Sequence, residues 1–417
     1  MTIIKPKGTQ DIMPDQIYKW RFLEGKFRVM ADNYGFKEIR TPVFEYTELF
    51  SRGVGNTTDI VQKEMYTFED NGGRSITLKP EGTASVARAF IEDKAYADVQ
   101  PTKYCYTTAC YRYEKPQKGR YKEFRQFGLE IFGTKSMLAD AEVISFADSF
   151  FKDLGVNDLE LRINSVGCSK CRDKYREALR DYFRPHYEEL CETCKNRFEK
   201  NPMRIIDCKS PADKELAKDA PSILDYLCEE CSQAFDDLKK NLDALEIDYL
   251  VDPTIVRGLD YYTKTAFEFV SSGIGAQGTV CGGGRYDHLI EEVGGPDVPG
   301  VGFGLGIERL LLLLEDNGIE IPEEAPMDCL VVVMGDRAKA YGQKLCRDLR
   351  KEGFKAELDL MERNMKGQFK YADRLGVKYA LVIGDDELDK GVAQIRYMEE
   401  SKQEEVKFEG IIDALRR

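Results

Sequence analysis

The N-terminal part of the chain begins with a helix that has one apolar side. Residues 16–34 place large apolar side chains three or seven positions apart, which is the spacing of one helix face. These positions are Ile17, Trp20, Phe27 and Met30. Gly35 follows them, and glycine commonly ends a helix because it adopts a left-handed backbone at little steric cost. We therefore predict an amphipathic helix that ends at Gly35.

Several later segments have the pattern of strands. Residues 74–80 form one, and Pro80-Glu81-Gly82 marks a turn into a helix of small residues. Residues 103–114 and 123–133 flank a basic loop that contains glycine, which predicts a long antiparallel hairpin. Residues 155–162 are one more strand candidate.

The character of the chain then changes twice. From Cys168 to about Leu245 it is helical, charged and rich in cysteine, and strand and glycine patterns return until about Asp316. This order indicates an insertion that splits one antiparallel domain. After an acidic linker, strands and helices alternate, which is typical of a small α/β domain with a mixed sheet. The predicted domains are residues 1–165 with 246–320 (the split antiparallel domain), 166–245 (helical insertion) and 326–417 (C-terminal).

Composition narrows the class of protein. The chain has 417 residues, of which 42% are hydrophobic and 32% charged, as in ordinary globular proteins. Purely apolar runs reach about five residues, whereas a membrane span needs roughly twenty. The N-terminus has no apolar core of signal-peptide length, so we expect a cytoplasmic protein without a membrane span. Only His186 and His288 are present, which argues against histidine-based metal or Ser-His-Asp catalysis.

Charge is distributed unevenly along the chain. The net charge of −13 argues weakly against a nucleic-acid partner, but binding depends on where the charges lie. Residues 326–417 contain 18 Lys or Arg and 18 Asp or Glu, so this segment is neutral. Within it, a basic stripe recurs at helical spacing, formed by Arg363, Lys366, Lys370, Arg374 and Lys378. A solvated helix face is the more common explanation of such a stripe.

Arg112 lies on the first strand of the predicted hairpin and has the chemistry of a phosphate ligand. A guanidinium group binds phosphate through two parallel, charge-assisted hydrogen bonds. The second strand carries Gln126 and Glu130, which would place a polar ligand beside that phosphate. Taken alone, an exposed arginine in a surface ion pair is the more common interpretation.

Two further regions combine arginine with glycine or paired tyrosine. Glycines alternate from Gly300 in GVGFGLGIERL, and they would let a backbone approach a ligand closely. The segment has neither the P-loop nor the dinucleotide-binding pattern. RGLDYY begins at Arg257 and GGGRYD at Gly282. At strand spacing, Tyr261 and Tyr262 would point to opposite faces of the sheet.

Together, these segments resemble the class II aminoacyl-tRNA synthetases and, among them, the histidyl-tRNA synthetase family. PVFE at Pro42 resembles the first class motif, which forms the dimer interface in the family. YRYEKPQKGRYKEFRQFGLE from Tyr111 resembles the second, and GFGLGIER from Gly302 resembles the third. RGLDYY and GGRYD resemble two segments peculiar to the histidine enzymes. The implied fold is α+β: an antiparallel-sheet catalytic domain with a helical insertion, followed by an α/β anticodon-binding domain.

The resemblance also implies a role for each matching residue. It assigns ATP contacts to Arg112 and Arg257, both at the α-phosphate and both catalytic, and to Arg309 at the γ-phosphate. It assigns the histidine substrate to Glu81, Thr83, Gln126, Glu130, Tyr261 and Tyr262. We expect the basic residues Arg363, Lys366, Lys370 and Arg374 to contact tRNA.

The implied reaction is the ATP-dependent activation of L-histidine to histidyl-adenylate, with release of pyrophosphate. Transfer of histidine to the 3′ end of tRNA(His) follows, and the enzyme is expected to use Mg²⁺ and to be a homodimer. The chain departs from the family pattern at Lys115, where many members have arginine, and at Gly304, where alanine is usual. Lysine cannot make a bidentate contact, which affects the expected contacts to the tRNA end.

Three other functions fit parts of the sequence. A synthetase-like regulatory subunit of histidine biosynthesis shares the catalytic fold, but it lacks much of RGLDYY and the C-terminal domain. A synthetase for proline or threonine is disfavoured by RGLDYY together with Glu130. A nucleic-acid-binding module without catalysis would not need Arg112, Arg257 and Arg309 in three separate motifs.

Seven of the twelve cysteines lie in the predicted insertion, most of them in closely spaced pairs. Cys168-x-x-Cys171 precedes Cys191-x-x-Cys194, and paired CxxC spacing suits a tetrahedral zinc site. Cys208 and the pair Cys228-x-x-Cys231 bring the number to seven, which exceeds the four ligands that one site needs. The family carries no zinc as a rule, so the metal is unknown: structural Zn²⁺ and reduced thiols are both open interpretations.

Overall fold

The computed structural model describes residues 2–55, 58, 60–271, 273, 278–400 and 402–416. The chain divides into two units, Met1–Pro322 and Glu323–Arg417. The predicted α+β fold class is confirmed, because a large, mainly antiparallel sheet with a helical insertion precedes a separate mixed sheet. Among the described residues, no helix is long and apolar enough to cross a membrane.

The described residues of the first unit form eleven α-helices and eleven strands. The helices are α1 (Ile17–Asn33), α2 (Thr47–Phe50), α3 (Thr83–Glu92), α4 (Met137–Asp153), α5 (Ser169–Phe183), α6 (Glu192–Lys200), α7 (Met203–Ile206), α8 (Pro211–Ala217), α9 (Glu229–Ala244), α10 (Leu289–Glu292) and α11 (Ile307–Asp316). The strands are β1 (Lys37–Glu38), β2 (Phe44–Tyr46), β3 (Tyr66–Glu69), β4 (Ser75–Leu78), β5 (Thr102–Tyr111), β6 (Glu123–Phe132), β7 (Glu160–Ser165), β8 (Leu250–Val251), β9 (Thr263–Val270), β10 (Thr279–Arg285) and β11 (Gly300–Gly306).

Eight of these strands form one sheet, in the order β1-β5-β6-β11-β10-β9-β7-β8. The six central strands pair antiparallel, whereas β1 and β8 add in parallel at the two edges. The predicted hairpin is confirmed as β5 and β6, which pair from Thr102↔Phe132 to Tyr111↔Glu123. Strands β2, β4 and β3 form a separate three-stranded sheet.

The strand period of two sorts the residues of β6 between two environments. Phe127, Leu129 and Ile131 are buried in the main core, together with residues of α1, α4, α9 and α11. The ring of Phe27 on α1 stacks on Phe127 at 4.3 Å, as expected for the predicted apolar side of that helix. Gln126 and Glu130 alternate with these core residues. The opposite side of the sheet is therefore free to carry polar chemistry.

The insertion consists of helices α5 to α9 and has a hydrophobic cluster of its own, which includes Tyr175, Leu179 and Phe183. Helix α9 also belongs to the main core through Phe235, Leu238 and Leu242. Along the chain, the first CxxC pair, Cys168 and Cys171, is followed by Cys191 and Cys194. In the folded insertion, however, the first pair lies beside the third pair, Cys228 and Cys231.

The second unit contains strands β12 (Cys329–Val333), β13 (Ala356–Leu358), β14 (Tyr379–Ile383), β15 (Val392–Tyr397) and β16 (Lys402–Lys407). Its helices are α12 (Asp336–Lys351), α13 (Met365–Leu375), α14 (Asp385–Lys390) and α15 (Ile411–Leu415). The sheet order is β13-β12-β14-β15-β16, with β12 parallel to both neighbours and the last two pairs antiparallel.

The structure differs from the sequence-based elements in several places. The strand expected at 155–162 lies at Glu160–Ser165, because Gly155 adopts a φ of +84° just after α4. Arg112 follows β5 instead of lying on it, although its N–H still bonds the Lys122 carbonyl at 2.9 Å. Helix α14 and strand β16 were not predicted. Tyr261 and Tyr262 precede β9, so the expected alternation of strand faces does not apply to them.

Candidate active site

A cavity lies beside the polar side of the large sheet. Eight of the nine residues predicted to contact histidine or ATP line it: Glu81, Thr83, Arg112, Gln126, Arg257, Tyr261, Tyr262 and Arg309. Glu130, the ninth, is fully buried and is not among the lining residues. The structure therefore gathers segments that are far apart in sequence into one site.

Glycines of β11 make room for the side chains of β6. Gly302 pairs with Glu130 and Gly306 with Gln126. A Cβ atom at Gly302 would lie 1.9 Å from Glu130 Oε2, and one at Gly304 would lie 2.1 Å from Gln126 Nε2. The alternating glycines thus let neighbouring side chains lie across β11, and Gly304 and Gly306 also line the cavity.

The Glu130 carboxylate is held by three hydroxyl groups. Thr83 Oγ1 donates to Glu130 Oε1 at 2.7 Å, and the Tyr106 hydroxyl donates to the same oxygen at 2.8 Å. The Tyr286 hydroxyl donates to Oε2. Burial raises the pKa of Glu130 to about 8, although these three hydrogen bonds act in the opposite direction. Because Thr83 lines the cavity, the carboxylate lies one side chain behind the cavity wall.

Glu81 is positioned by the beginning of helix α3. Its carboxylate accepts hydrogen bonds from the backbone N–H groups of Thr83 and Ala84, both at 2.8 Å. Such groups at a helix N-terminus lack partners within the helix, so an acidic side chain there is stabilised. Burial raises the pKa of Glu81, and the two backbone hydrogen bonds oppose that shift. The Gln126 side-chain oxygen accepts a hydrogen bond from the N–H of Gly82 at 3.2 Å. This bond holds the Gln126 amide near Glu81 at the beginning of α3.

Two adjacent tyrosines form an aromatic wall of the cavity. The rings of Tyr261 and Tyr262 are 4.7 Å apart, and the Tyr261 ring lies 5.5 Å from that of Tyr286. Both adjacent tyrosines are nearly fully buried. Burial, followed by nearby negative charge, raises the pKa of Tyr261 well above its usual value, so its hydroxyl remains protonated at neutral pH. Neutral hydroxyls both donate and accept hydrogen bonds.

Arg257 is a partly buried cation, with a side chain that is 17% exposed and one carboxylate partner. Its Nη1 donates to Glu268 Oε1, and Thr279 Oγ1 donates to the other oxygen of Glu268 at 2.6 Å. Burial alone lowers the pKa of Arg257, but the negative charge of Glu268 leads to a net increase, so the guanidinium stays charged. Its buried Nε–H has no hydrogen-bond partner among the described residues. A buried donor of this kind is available to an anionic ligand.

Arg112 and Arg309 add two further guanidinium groups. Arg112 Nε donates to the Pro80 carbonyl at 2.8 Å, and its guanidinium lies 5.2 Å from the centre of the Phe124 ring. Burial and the nearby Arg120 lower the pKa of Arg309. Cations that lie close together in a partly buried cleft repel each other until an anion binds. The cavity therefore combines these guanidiniums with carboxylates such as that of Glu114, which lies 3.7 Å from Arg112 Nη1.

The predicted tRNA residues lie in the second unit. Lys366, Lys370 and Arg374 are exposed on α13. Arg363 precedes that helix, donates to Asp359 and lies 4.5 Å from the centre of the Tyr371 ring. Lys378 follows the helix and pairs with Asp328 at 3.3 Å. The continuous stripe expected from the sequence is thus shortened to three residues of one helix, with Arg363 beside it.

Sequence reasoning missed the residues that hold the predicted ones. Tyr106 and Tyr286 fix Glu130, and Glu268 fixes Arg257. Tyr286 could have been identified from the sequence, because it belongs to the GGGRYD segment that begins at Gly282. Tyr106 and Glu268 lie on β5 and β9 without a local pattern that distinguishes them from other strand residues.

Comparison with known proteins agrees with this geometry. Residues 8–310 match the family described as histidyl-tRNA synthetase, and residues 328–417 match the anticodon binding domain. A histidine–tRNA ligase of Clostridium perfringens is 56% identical over 410 residues, with 98% of both chains covered. One of Caldanaerobacter subterraneus subsp. tengcongensis is 56% identical over 411 residues, with 99% of both chains covered.

The fold is also similar to that of a solved relative. The crystal structure of apo S. aureus histidyl-tRNA synthetase is 42% identical and has a TM-score of 0.84, with each chain covered completely. Similarity of this extent holds for both units, and the segments that resemble the histidine enzymes converge on one cavity. The chain therefore belongs to the histidyl-tRNA synthetase family.

Proposed function

We propose that this cavity is where the chain, a histidine–tRNA ligase, joins L-histidine to the α-phosphate of ATP. The observation that carries the assignment is the convergence of Arg112, Arg257 and Arg309 on the cavity that Gln126 and the paired tyrosines also line. Activated histidine is then transferred to the 3′ end of tRNA(His). The synthetase-like regulatory subunit and the non-catalytic binding module give no reason for three guanidiniums beside an aromatic pocket.

The chemistry explains why these residue types are suitable. The histidine carboxylate attacks the α-phosphorus in line with the departing pyrophosphate, and negative charge grows on the non-bridging oxygens. Permanently charged guanidiniums at those oxygens stabilise the transition state more than the ground state. A carboxylate is already a nucleophile, so no histidine or other general base is required. Arg112 and Arg257 fill this role in our proposal, and Arg309 binds the γ-phosphate.

The residues also fit a metal ion that ATP carries. Glu114 and Glu308 line the cavity, and carboxylate oxygens are ligands that Mg²⁺ prefers. When bound, Mg²⁺ supplies charge neutralisation to the triphosphate. Burial raises the pKa of Glu308 to about 7. A cation bound beside Glu308 would favour the ionised form of this carboxyl group.

Specificity for histidine follows from polar groups that need a partner. An imidazole ring has one donor and one acceptor at neutral pH. The tyrosine hydroxyls provide one partner, and the Thr83 hydroxyl, which Glu130 holds in place, provides the other. Glu81 and Thr83 would bind the α-ammonium group of the substrate. Analogues without ring nitrogens leave these groups unpaired, which a buried polar site penalises strongly.

Pyrophosphate exchange with each of the twenty amino acids tests this proposal. We expect exchange with histidine alone, and we expect Arg257→Ala to lose it by a factor of about 100 or more, as for removal of one transition-state contact. Arg162→Ala is the matched control, because Arg162 is an ion-paired arginine at the sheet edge, outside the cavity.

Circular dichroism would check that each variant is folded. Loss of exchange in folded Arg257→Ala and retention in Arg162→Ala supports the assignment. Absence of exchange with every amino acid in folded wild type would instead indicate the regulatory type of protein.

The second unit provides the tRNA contact in this proposal. Lys366, Lys370 and Arg374 are exposed cations on one helix, which suits the phosphate backbone of RNA. Arg363 lies next to them, but its pairing with Asp359 reduces the charge it offers. The unit matches the anticodon binding domain, so its substrate contact is with the anticodon arm.

Homodimerisation is supported by an apolar surface at the first class motif. Val43 just before β2 is 44% exposed, and Phe44, Tyr46 and Phe68 of the small sheet are 52%, 55% and 49% exposed. Clustered exposed apolar residues usually mark an interface with another protein. We also propose that the chain works in the cytoplasm, where tRNA is charged, and that its insertion binds structural Zn²⁺.

A further inference from the structure

Four cysteines of the insertion place their sulfur atoms together. Cys168, Cys171, Cys228 and Cys231 each offer one sulfur, and all four lie within 4.8 Å of one another. Cys168 Sγ is 3.6 Å from that of Cys171 and 3.9 Å from that of Cys228. A Zn–S bond of about 2.3 Å implies a sulfur–sulfur separation of roughly 3.8 Å in a tetrahedron. A disulfide would need about 2.05 Å.

A second group lies further along the insertion. Cys191, Cys194, Cys208 and Asp213 also bring their ligand atoms within 4.8 Å of one another. The sulfurs of Cys191 and Cys208 are 3.9 Å apart, and Asp213 Oδ2 lies 3.1 Å from Cys208 Sγ. Asp213 is 0% exposed. Its Oδ1 accepts a hydrogen bond from the N–H of Cys191 at 3.0 Å, and a cation bound by the three sulfurs would compensate the rest of its charge.

The backbone around both groups favours thiolate ligands. Cys168, Cys191 and Cys228 are the N-cap residues of α5, α6 and α9, so one cysteine of each pair lies at the beginning of a helix. The N–H of Cys228 donates to Cys171 Sγ at 3.1 Å, and that of Ser210 points to Cys208 Sγ at 3.4 Å. These contacts orient the sulfur atoms before any metal is bound.

We propose that the insertion binds two Zn²⁺ ions, one in a Cys₄ site and one in a Cys₃Asp site. The Cys₄ site is formed by Cys168, Cys171, Cys228 and Cys231, and the Cys₃Asp site by Cys191, Cys194, Cys208 and Asp213. This arrangement accounts for all seven cysteines of the insertion, which one site could not use. Four protein ligands leave no open position, so both sites are structural.

Each site braces one part of the RGLDYY segment. The Cys₄ site joins the start of α5 to the start of α9, and α9 is anchored in the main core. Arg172, next to Cys171, donates to the carbonyl of Tyr262 at 2.8 Å. Arg204 lies within the loop that the Cys₃Asp site closes, and it donates to the carbonyl of Arg257 at 2.8 Å. The two metals thus hold the two positioning residues Arg172 and Arg204 against the backbone of the active-site segment.

Metal analysis tests the two sites directly. Protein is purified without added metal and dialysed against a weak chelator. Inductively coupled plasma mass spectrometry should then find two Zn²⁺ per chain. Cys171→Ser with Cys228→Ser should lose one, and Cys194→Ser with Cys208→Ser should lose the other. Cys346→Ser is the control, because this buried cysteine belongs to the second unit, and it should retain both.

Cobalt substitution distinguishes the two ligand sets. Each double variant should keep one tetrahedral Co²⁺ centre, and the sulfur-to-cobalt absorption should be stronger when the Cys₄ site is the one that remains. A wild-type content of one Zn²⁺ or none would overturn the two-site assignment. This test needs no catalytic activity, so its outcome does not depend on the proposed ligase reaction.

The bracing role rests on the proposed functions of Arg257 and Tyr262. Arg172→Ala and Arg204→Ala should keep both Zn²⁺ ions and raise the KM for histidine several-fold, while Arg172→Lys should restore part of the loss. Arg180→Ala on the same α5 helix should leave KM and kcat unchanged, since its guanidinium bonds the carbonyl of Glu199 within the insertion. Wild-type KM and kcat in both alanine variants, with exchange activity intact, would overturn the bracing role alone.

Discussion

Glu130 shows how burial determines the ionisation of a single side chain. Its pKa is raised to about 8, whereas a glutamate in an unfolded chain titrates near 4.3. Between these two pH values the folded chain binds more protons at this position than the unfolded chain. The contribution to stability is therefore complete below about pH 4.3 and is lost as pH rises to about 8. Glu308, with a pKa raised to about 7, acts in the same direction.

We predict that Glu130→Gln reduces this pH dependence. Urea unfolding between pH 5 and pH 8 should give a wild-type free energy of unfolding that falls with pH, and the variant should have a smaller slope. Glu160→Gln is the control, because Glu160 is 42% exposed at the sheet edge, and its slope should match that of the wild type. Equal slopes for wild type and Glu130→Gln would contradict the assigned titration.

A series of glycine variants tests the space on β11. Gly302→Ala should lower the free energy of unfolding by roughly 1–3 kcal/mol and greatly reduce exchange, because its Cβ would lie 2.2 Å from the Leu129 carbonyl as well as meeting Glu130. Gly304→Ala should be tolerated with a modest rise in the KM for histidine, since only the end of Gln126 must move.

Gly306→Ala is the control of this series, as its nearest neighbour would be 3.8 Å away. Steady-state kinetics and thermal unfolding of the three variants would provide the comparison. Wild-type behaviour of Gly302→Ala would show that β11 is less crowded than the structure indicates.

The resemblance located the charged residues of the cavity better than it described their surroundings. Arginines in recognisable motifs could be named from the sequence, and all three line the cavity. The full burial of Glu130 depends on Tyr106, Tyr286 and Thr83, which come from three distant segments. Hydrogen bonds between distant segments depend on register, and register between distant strands cannot be read from one local pattern.

At the scale of secondary structure, helix α13 carries the charge that can be tested. Changing both Lys366 and Lys370 to alanine should weaken tRNA binding and reduce the slope of log K against log salt by up to about two. Lys344→Ala with Arg347→Ala on α12 removes the same charge from another exposed helix and serves as the control. Filter binding at several salt concentrations provides both numbers. An unchanged affinity and slope would remove α13 from the tRNA contact.

Elements with a clear apolar period were predicted well, and those without one were not. Helix α1 and the β5–β6 hairpin have regular apolar spacing, and both formed as expected. Strand β16 reads KQEEVK, with exposed polar side chains at four of its six positions, and is stabilised by pairing with β15. The cysteine groups were ambiguous for a related reason: spacing reveals which residues can share a metal, but only the packing of α5 against the start of α9 selects the partners.

At the scale of the whole molecule, the exposed apolar surface of the small sheet predicts self-association. Phe44→Glu should convert a dimer into a monomer, because a charge would be buried without a partner in the interface. Light scattering coupled to size-exclusion chromatography measures the molar mass. Leu138→Glu places the same charge on another exposed apolar residue, 66% exposed on α4, and should leave the mass unchanged. A monomeric wild type would contradict the prediction.

The pairing of β6 with β11 has a consequence for synthesis of the chain on the ribosome. Gln126 of β6 has Gly306 as its partner, so the centre of the large sheet is completed only after the insertion has been made. At about 5–20 residues per second, that interval lasts on the order of ten seconds or more. During this time α11 is not available to pack in the core that contains Phe127, Leu129 and Ile131. The nascent β5–β6 hairpin is therefore the segment that a ribosome-associated chaperone would encounter.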